Sequence, residues 1–175
     1  MFRYDVSHLG DLHPRIRAED WRSPLIHRLL NNCEYRESEA AVSVGFKAPL
    51  ADEEECQFVL GWTGLGADFE RCLNTYQGPV LMEFAGMGLA CIAVHGLAEL
   101  EITEVTMRGQ RADYWLGDRS LLLEVSARQD GDLDRLFQEK SRQLLANPFG
   151  KSGYVFAAHF GRLKARLWFC RGSDR

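Results

Sequence analysis

The chain has 175 residues, 46% of them apolar and 26% charged, with a formal net charge of −4; this is the composition of an ordinary globular protein, long enough for one domain with a real core. No run approaches the roughly 20 apolar residues of a membrane span. The opening Met1-Phe2-Arg3-Tyr4-Asp5 lacks the apolar core of a signal peptide, so a cytoplasmic protein with no membrane contact is expected.

The five cysteines, Cys33, Cys56, Cys72, Cys91 and Cys170, are odd in number and none has CxxC spacing. Buried free thiols are expected rather than a disulfide framework or a zinc site. His8, His13, His27, His95 and His159 are scattered, with no HxxxH or HExxH spacing, which gives a zinc hydrolase no support. Charge is uneven. Residues 1–106 carry 8 Lys and Arg against 17 Asp and Glu, a net −9, and residues 107–175 carry 13 against 8, a net +5. A basic half is what an enzyme of nucleic acids needs around metal-binding acids; a chance excess of solvated arginines gives the same count.

Along the chain, residues 1–24 are polar and broken by Gly10, Pro14 and Pro24, and read as irregular structure on the surface. Leu25–Leu30 has room for one or two helical turns. Ala40–Phe46 and Gln57–Trp62 read as strands, with the acidic run Asp52–Glu55 between them as a solvated turn or helix start. From Asp68, the apolar residues Phe69, Leu73, Tyr76, Val80, Phe84 and Met87 recur at helical spacing, interrupted at Gly78-Pro79. Glu83 falls at the edge of that stripe, and Gly86, Gly88 and Ala90 predict close packing. The period then becomes two. Strands are expected at Leu100–Val105, Arg111–Leu116 and Ser120–Ala127, the last two joined by a Gly117-Asp118 hairpin turn. Asp132 is a good N-cap for a helix running to about Ala146, stopped by Asn147-Pro148-Phe149-Gly150. Tyr154–Phe160 and Leu163–Cys170 complete the series as strands. The order of elements predicts an α/β protein with a mixed sheet and packed helices.

One constellation carries chemistry. Asp113 and Glu124 each stand in an apolar strand, roughly opposite one another if the hairpin forms. Two such carboxylates repel unless a cation lies between them, and oxygen ligands suit Mg²⁺ or Mn²⁺. On the following helix, Leu133, Leu136, Phe137 and Leu144 define the apolar stripe, and Lys140 falls within roughly 20° of its centre. A lysine there meets an anion or snorkels to water. Gln143 flanks the same face, and Ser126 shares a strand face with Glu124.

Helix, strands carrying Asp113 and then Glu124, helix and strand over residues 68–170 resembles the PD-(D/E)XK nuclease superfamily, whose core is the restriction-endonuclease-like fold. The resemblance implies a core domain over residues 67–175, with residues 1–66 an acidic extension packed on it. It implies that Asp113 and Glu124 bind one Mg²⁺ or Mn²⁺, with Glu83 as an accessory acid from the first helix. The motif's lysine position holds Ser126 here; Lys140 is then the lysine relocated to the next helix, as in some members. In those roles Lys140 orients the water and steadies the phosphate, with Ser126 and Gln143 as accessories. Arg108 and Arg111 are candidate contacts to backbone phosphate.

Three readings follow. The first is a metal-dependent nuclease, DNA more than RNA, of a bacterial defence or repair system. The second is a catalytically inactive member of the same fold, a scaffold or binding module whose acidic N-terminal region docks a protein partner; a homodimer is compatible with either. The third is a generic α/β protein in which Arg111 and Arg119 cap Asp113 and Glu124. Convergence of Asp113, Glu124 and Lys140 in an open cleft favours the first, and a cleft filled by the N-terminal segment favours the second.

Overall fold

The alternating segments of the chain all join one sheet. A computed structural model describes residues 1–31 and 38–173. Its strands are β1 (Phe2–Asp5), β2 (Glu39–Lys47), β3 (Glu54–Gly61), β4 (Ile102–Val105), β5 (Tyr114–Leu116), β6 (Leu121–Arg128), β7 (Gly153–His159) and β8 (Lys164–Cys170). They lie in the order β1-β3-β2-β8-β7-β6-β5-β4. The pairs β1/β3, β2/β8 and β6/β7 are parallel and the others antiparallel, so the sheet is mixed. The helices are α1 (Arg22–Leu30), α2 (Ala67–Thr75), α3 (Gly78–Ala93) and α4 (Leu133–Leu145). The protein is α/β, with α3 and α1 over one face of the sheet and α4 over the other.

Strands of residues 1–66 continue the sheet edge to edge, through the parallel pairing of β2 with β8, rather than lying over it. The first 24 residues are more regular than their composition suggests: β1, two 3₁₀ turns at Val6–Asp11 and Ala18–Trp21, and the start of α1. β1 is four residues long and takes its partner from β3, so nothing local announces it. Glu54 and Glu55 open β3 instead of forming a turn, and Ser43 of β2 donates to the Glu55 carboxylate. Cys56, Cys72, Cys91 and Cys170 are free thiols, of which only Cys91 is fully buried; Cys33 lies outside the described residues.

Pro79 divides the helical stretch into α2 and α3. It occupies the first turn of α3, where a missing N–H costs nothing. α3 is the central helix, and its glycines set how closely it approaches its neighbours. A Cβ on Gly86 would stand 2.6 Å from the Cβ of Ala127 on β6, and one on Gly88 3.2 Å from Leu25 Cβ on α1. The helix runs on through a wide turn at Val94–Ala98 and ends at Glu99, φ 53°. By length and composition Gly78–Ala98 would suffice to cross a membrane, though most of its apolar stretch is buried within the molecule, against α1 and the sheet. Its apolarity was legible only as a broken stripe, because Glu83 and the glycines interrupt it.

His13 ties the N-terminal segment to this layer. It is fully buried, its Nδ1 accepts the Ile102 N–H at 3.0 Å, and Nε2 lies 3.1 Å from the Cys91 carbonyl. The accepting Nδ1 fixes the proton on Nε2, which donates to that carbonyl. Burial pushes its pKa down to about 4. On the opposite face, Asp132 caps α4 by accepting from the N–H groups of Asp134 (2.8 Å) and Arg135 (3.2 Å). Leu136, Phe137 and Leu144 pack on Trp115, Leu122 and Val155.

Candidate active site

β5 is shorter than the sequence suggests. It begins at Tyr114, and Arg111 lies outside it in the left-handed region, φ 60°, in the turn that includes Gly109, φ 93°. Thr106 closes the base of this loop: its hydroxyl donates to the Ala112 carbonyl and its N–H to the Asp113 carbonyl at 2.9 Å. The ladder between β5 and β6 therefore stops at Asp113, whose N–H donates to Leu123 O at 2.9 Å. Beyond that point β6 runs on alone along this edge to Arg128. The freed N–H of Val125 is taken up by Asp113 Oδ2 at 2.7 Å. Asp113 is thus fixed by its main chain on both sides and by its carboxylate.

This notch is a cavity of about 410 Å³. Glu83, Phe84 and Met87 of α3 form one wall, Val125, Ser126 and Ala127 of β6 the floor, and Asp113 and Lys140 the far end. Among the described residues every lining residue falls between 79 and 140, so the described part of the N-terminal segment does not fill the opening. Gly86 is what lets α3 come close enough to form the wall.

Glu124 is one layer deeper. It is wholly buried, and its Oε1 accepts from Lys140 Nζ at 2.6 Å, while Nζ also donates to Gln143 Oε1 at 3.1 Å. Lys140, whose side chain is 26% exposed, reaches both Glu124 and the cavity. The other carboxylate oxygen, Glu124 Oε2, is buried with no hydrogen-bond partner among the described residues. Burial, then the nearby Asp113 charge, push the Glu124 pKa up to about 7 against the pull of Lys140. The Asp113 carboxyl is also raised, first by burial and further by Glu83, with the Val125 N–H and Lys140 opposing. Three carboxylates and one ammonium thus share the site, a net −2 when all are ionised.

The structure brings together Asp113, Glu124 and Lys140, with Gln143 on the lysine and Glu83 and Ser126 on the cavity wall. Arg108 and Arg111 are exposed on the adjoining loop and form no ion pair among the described residues. Among the described residues no arginine caps either acid: Arg119 pairs with Glu104, and Glu124 pairs with Lys140. The arginine pairs of the generic α/β reading therefore do not form there. Sequence reasoning missed Phe84, Met87, Val105 and Tyr114 as lining residues. Phe84 and Met87 have core spacing, and Met87 stays buried while also lining the cavity.

Two buried or half-buried carboxylates, one with an unpartnered oxygen, are hard oxygen donors suited to Mg²⁺ or Mn²⁺. Such ions commonly take one or two protein carboxylates and complete their shell with water and phosphate oxygens. Among the described residues no group of three His, Cys, Asp or Glu side chains forms a fuller ligand set. No family model, curated protein or solved structure matches the chain.

Proposed function

We propose that this protein is a divalent-metal-dependent nuclease of the cytoplasm, hydrolysing phosphodiesters of DNA more readily than RNA. The observation that carries the reading is Glu124 Oε2, buried behind an open cavity lined by Asp113 and Lys140 and without a hydrogen-bond partner among the described residues. A buried carboxylate oxygen without a partner is costly, and a cation shared with Asp113 relieves the cost. The order α3, β4, β5, β6, α4, β7, with β6 and β7 parallel across α4, supports a restriction-endonuclease-like core. So does the position of Asp113, immediately ahead of β5, against β6, which carries Glu124.

In this reading Asp113 and Glu124 hold the ion, with Glu83 at the mouth as a further carboxylate. The bound ion supplies an acidified water and charge neutralisation at the phosphate. Gln143 Oε1 orients the Lys140 ammonium, which faces the cavity end and stabilises negative charge gathering on the phosphate oxygens. Ser126 offers a hydroxyl on the floor where the motif lysine of the resembling family would stand. Arg108 and Arg111, on the loop beside the opening, attract the flanking backbone phosphates.

The second reading, an inactive nuclease-fold binding module, is favoured by one observation: the Lys140–Glu124 pair closes Glu124 off from the cavity, so the acid is not on its wall. Calorimetric titration with Mn²⁺ separates the two. The nuclease reading expects one ion per chain, lost in Asp113→Asn and Glu124→Gln. Absence of Mn²⁺ binding by the folded wild type would leave the binding module.

A further inference from the structure

The cavity lining is mixed: the charged side chains Glu83, Asp113 and Lys140 share it with the apolar Phe84, Met87 and Val105. A site that handled only a backbone phosphate would need no apolar wall. Its volume, about 410 Å³, lies in the range of pockets that enclose drug-sized molecules, about 300–1,000 Å³. That is the size of a base with its sugar, and a stacked duplex cannot enter it. Phe84 is half-buried and its ring is braced edge-on by Tyr76, centroids 5.3 Å apart. A braced aromatic ring on a cavity wall is a stacking platform that costs little further ordering when used. Val105 remains 66% exposed at the rim and Met107, two residues on, 73%. Both are apolar where the charge pattern alone would call for polar residues.

We infer that the cavity takes one unstacked nucleotide, its base against Phe84 and Met87 and its phosphate toward Asp113 and Lys140, so that the substrate is single-stranded or frayed nucleic acid. This rests on the nuclease reading and narrows it: a base must leave the stack before its phosphate reaches the acids. Single strands offer such bases at least cost, and aromatic stacking serves any base sequence.

The test is fluorescence anisotropy with labelled oligothymidylate and a labelled blunt duplex of equal length, with Ca²⁺ present, on wild type and Phe84→Leu. Leucine keeps an apolar wall and removes the ring; circular dichroism confirms that the variant folds. The single strand is expected to bind more tightly than the duplex. Phe84→Leu should weaken single-strand binding by about fivefold to a hundredfold, the worth of one stacked base, while leaving duplex binding and Mn²⁺ binding unchanged. Equal affinity for both probes with no effect of Phe84→Leu would overturn the nucleotide pocket and leave the nuclease reading standing. Binding of neither probe overturns the pocket as well; retained Mn²⁺ uptake would then preserve the metal site, and its loss would end both.

Discussion

Lys140 Nζ lies 2.6 Å from Glu124 Oε1, yet the second oxygen of that carboxylate has no partner among the described residues. One ammonium therefore satisfies half of a wholly buried acid, next to the carboxylate of Asp113. The fold tolerates this arrangement at a cost in stability, since an incompletely paired buried charge is unfavourable.

Glu124 makes stability fall with rising pH. Its folded-state pKa is about 7 against an ordinary 4.5, so between those values the folded protein holds a proton that the unfolded chain has released. Stability declines from about pH 4.5 to about pH 7 and stays at the lower level above. Glu124→Gln, which keeps an acceptor for Lys140, is expected to match wild type near pH 4.5. At pH 8 without metal it should be more stable, on the order of 1–3 kcal/mol. Urea unfolding at the two pH values checks this; a variant less stable at both would show that the Lys140 pairing outweighs burial.

His13 acts in the opposite sense. Its folded pKa is about 4 against 6.5, so its contribution is complete above pH 6.5 and is lost as pH falls toward 4. His13→Ala leaves the Ile102 N–H and Cys91 carbonyl without their partner and is expected to cost about 2–4 kcal/mol at pH 7. The loss should be smaller at pH 5, which thermal melts at the two pH values would register.

Asp113 has a structural duty beside any chemical one. Asp113→Ala strands the Val125 N–H that its carboxylate accepts at 2.7 Å, and is expected to lose about 1–3 kcal/mol. Asp113→Asn retains an acceptor oxygen and removes a charge that repels Glu83 and Glu124, so it should be at least as stable as wild type. Mn²⁺ is expected to raise the melting temperature of wild type and not of Asp113→Asn. Equal shifts in both would move the ion to another site.

Gly86 is the close contact that brings α3 to the cavity. A methyl there meets Ala127 Cβ at 2.6 Å, and Gly86→Ala is expected to cost about 1–3 kcal/mol through overpacking, less about 1 kcal/mol of gained helix propensity. Adding Ala127→Gly should restore much of the loss. A pair whose effects simply add in chemical denaturation would refute the contact.

The sequence made much of this arrangement legible, and its failures have a common cause. The helix stop at Asn147 was strong because one side chain satisfies four main-chain groups, accepting from Phe149 and Lys151 and donating to Leu144 and Lys151. Lys140 was legible because an ammonium in the middle of the stripe of Leu136, Phe137 and Leu144 demands an anion, and Glu124 provides it. What could not be read was long-range. β1 is specified by β3, fifty-odd residues away. The early end of β5 is imposed by Thr106 and by Arg111 in a left-handed conformation, and no local pattern marks it. That boundary opens the cavity, so Met87, a core residue, and Phe84, packed against the core, also line it.

The most direct test of the central claim is cleavage itself. Purified protein is incubated with single-stranded DNA, double-stranded DNA and RNA in Mg²⁺, in Mn²⁺ and in chelator, beside Asp113→Asn and Lys140→Ala. The account predicts metal-dependent cleavage, DNA before RNA, abolished by chelator and by both substitutions while the variants remain folded. Cleavage that survives Asp113→Asn, or no cleavage of any substrate by a folded wild type that has its metal, would contradict it.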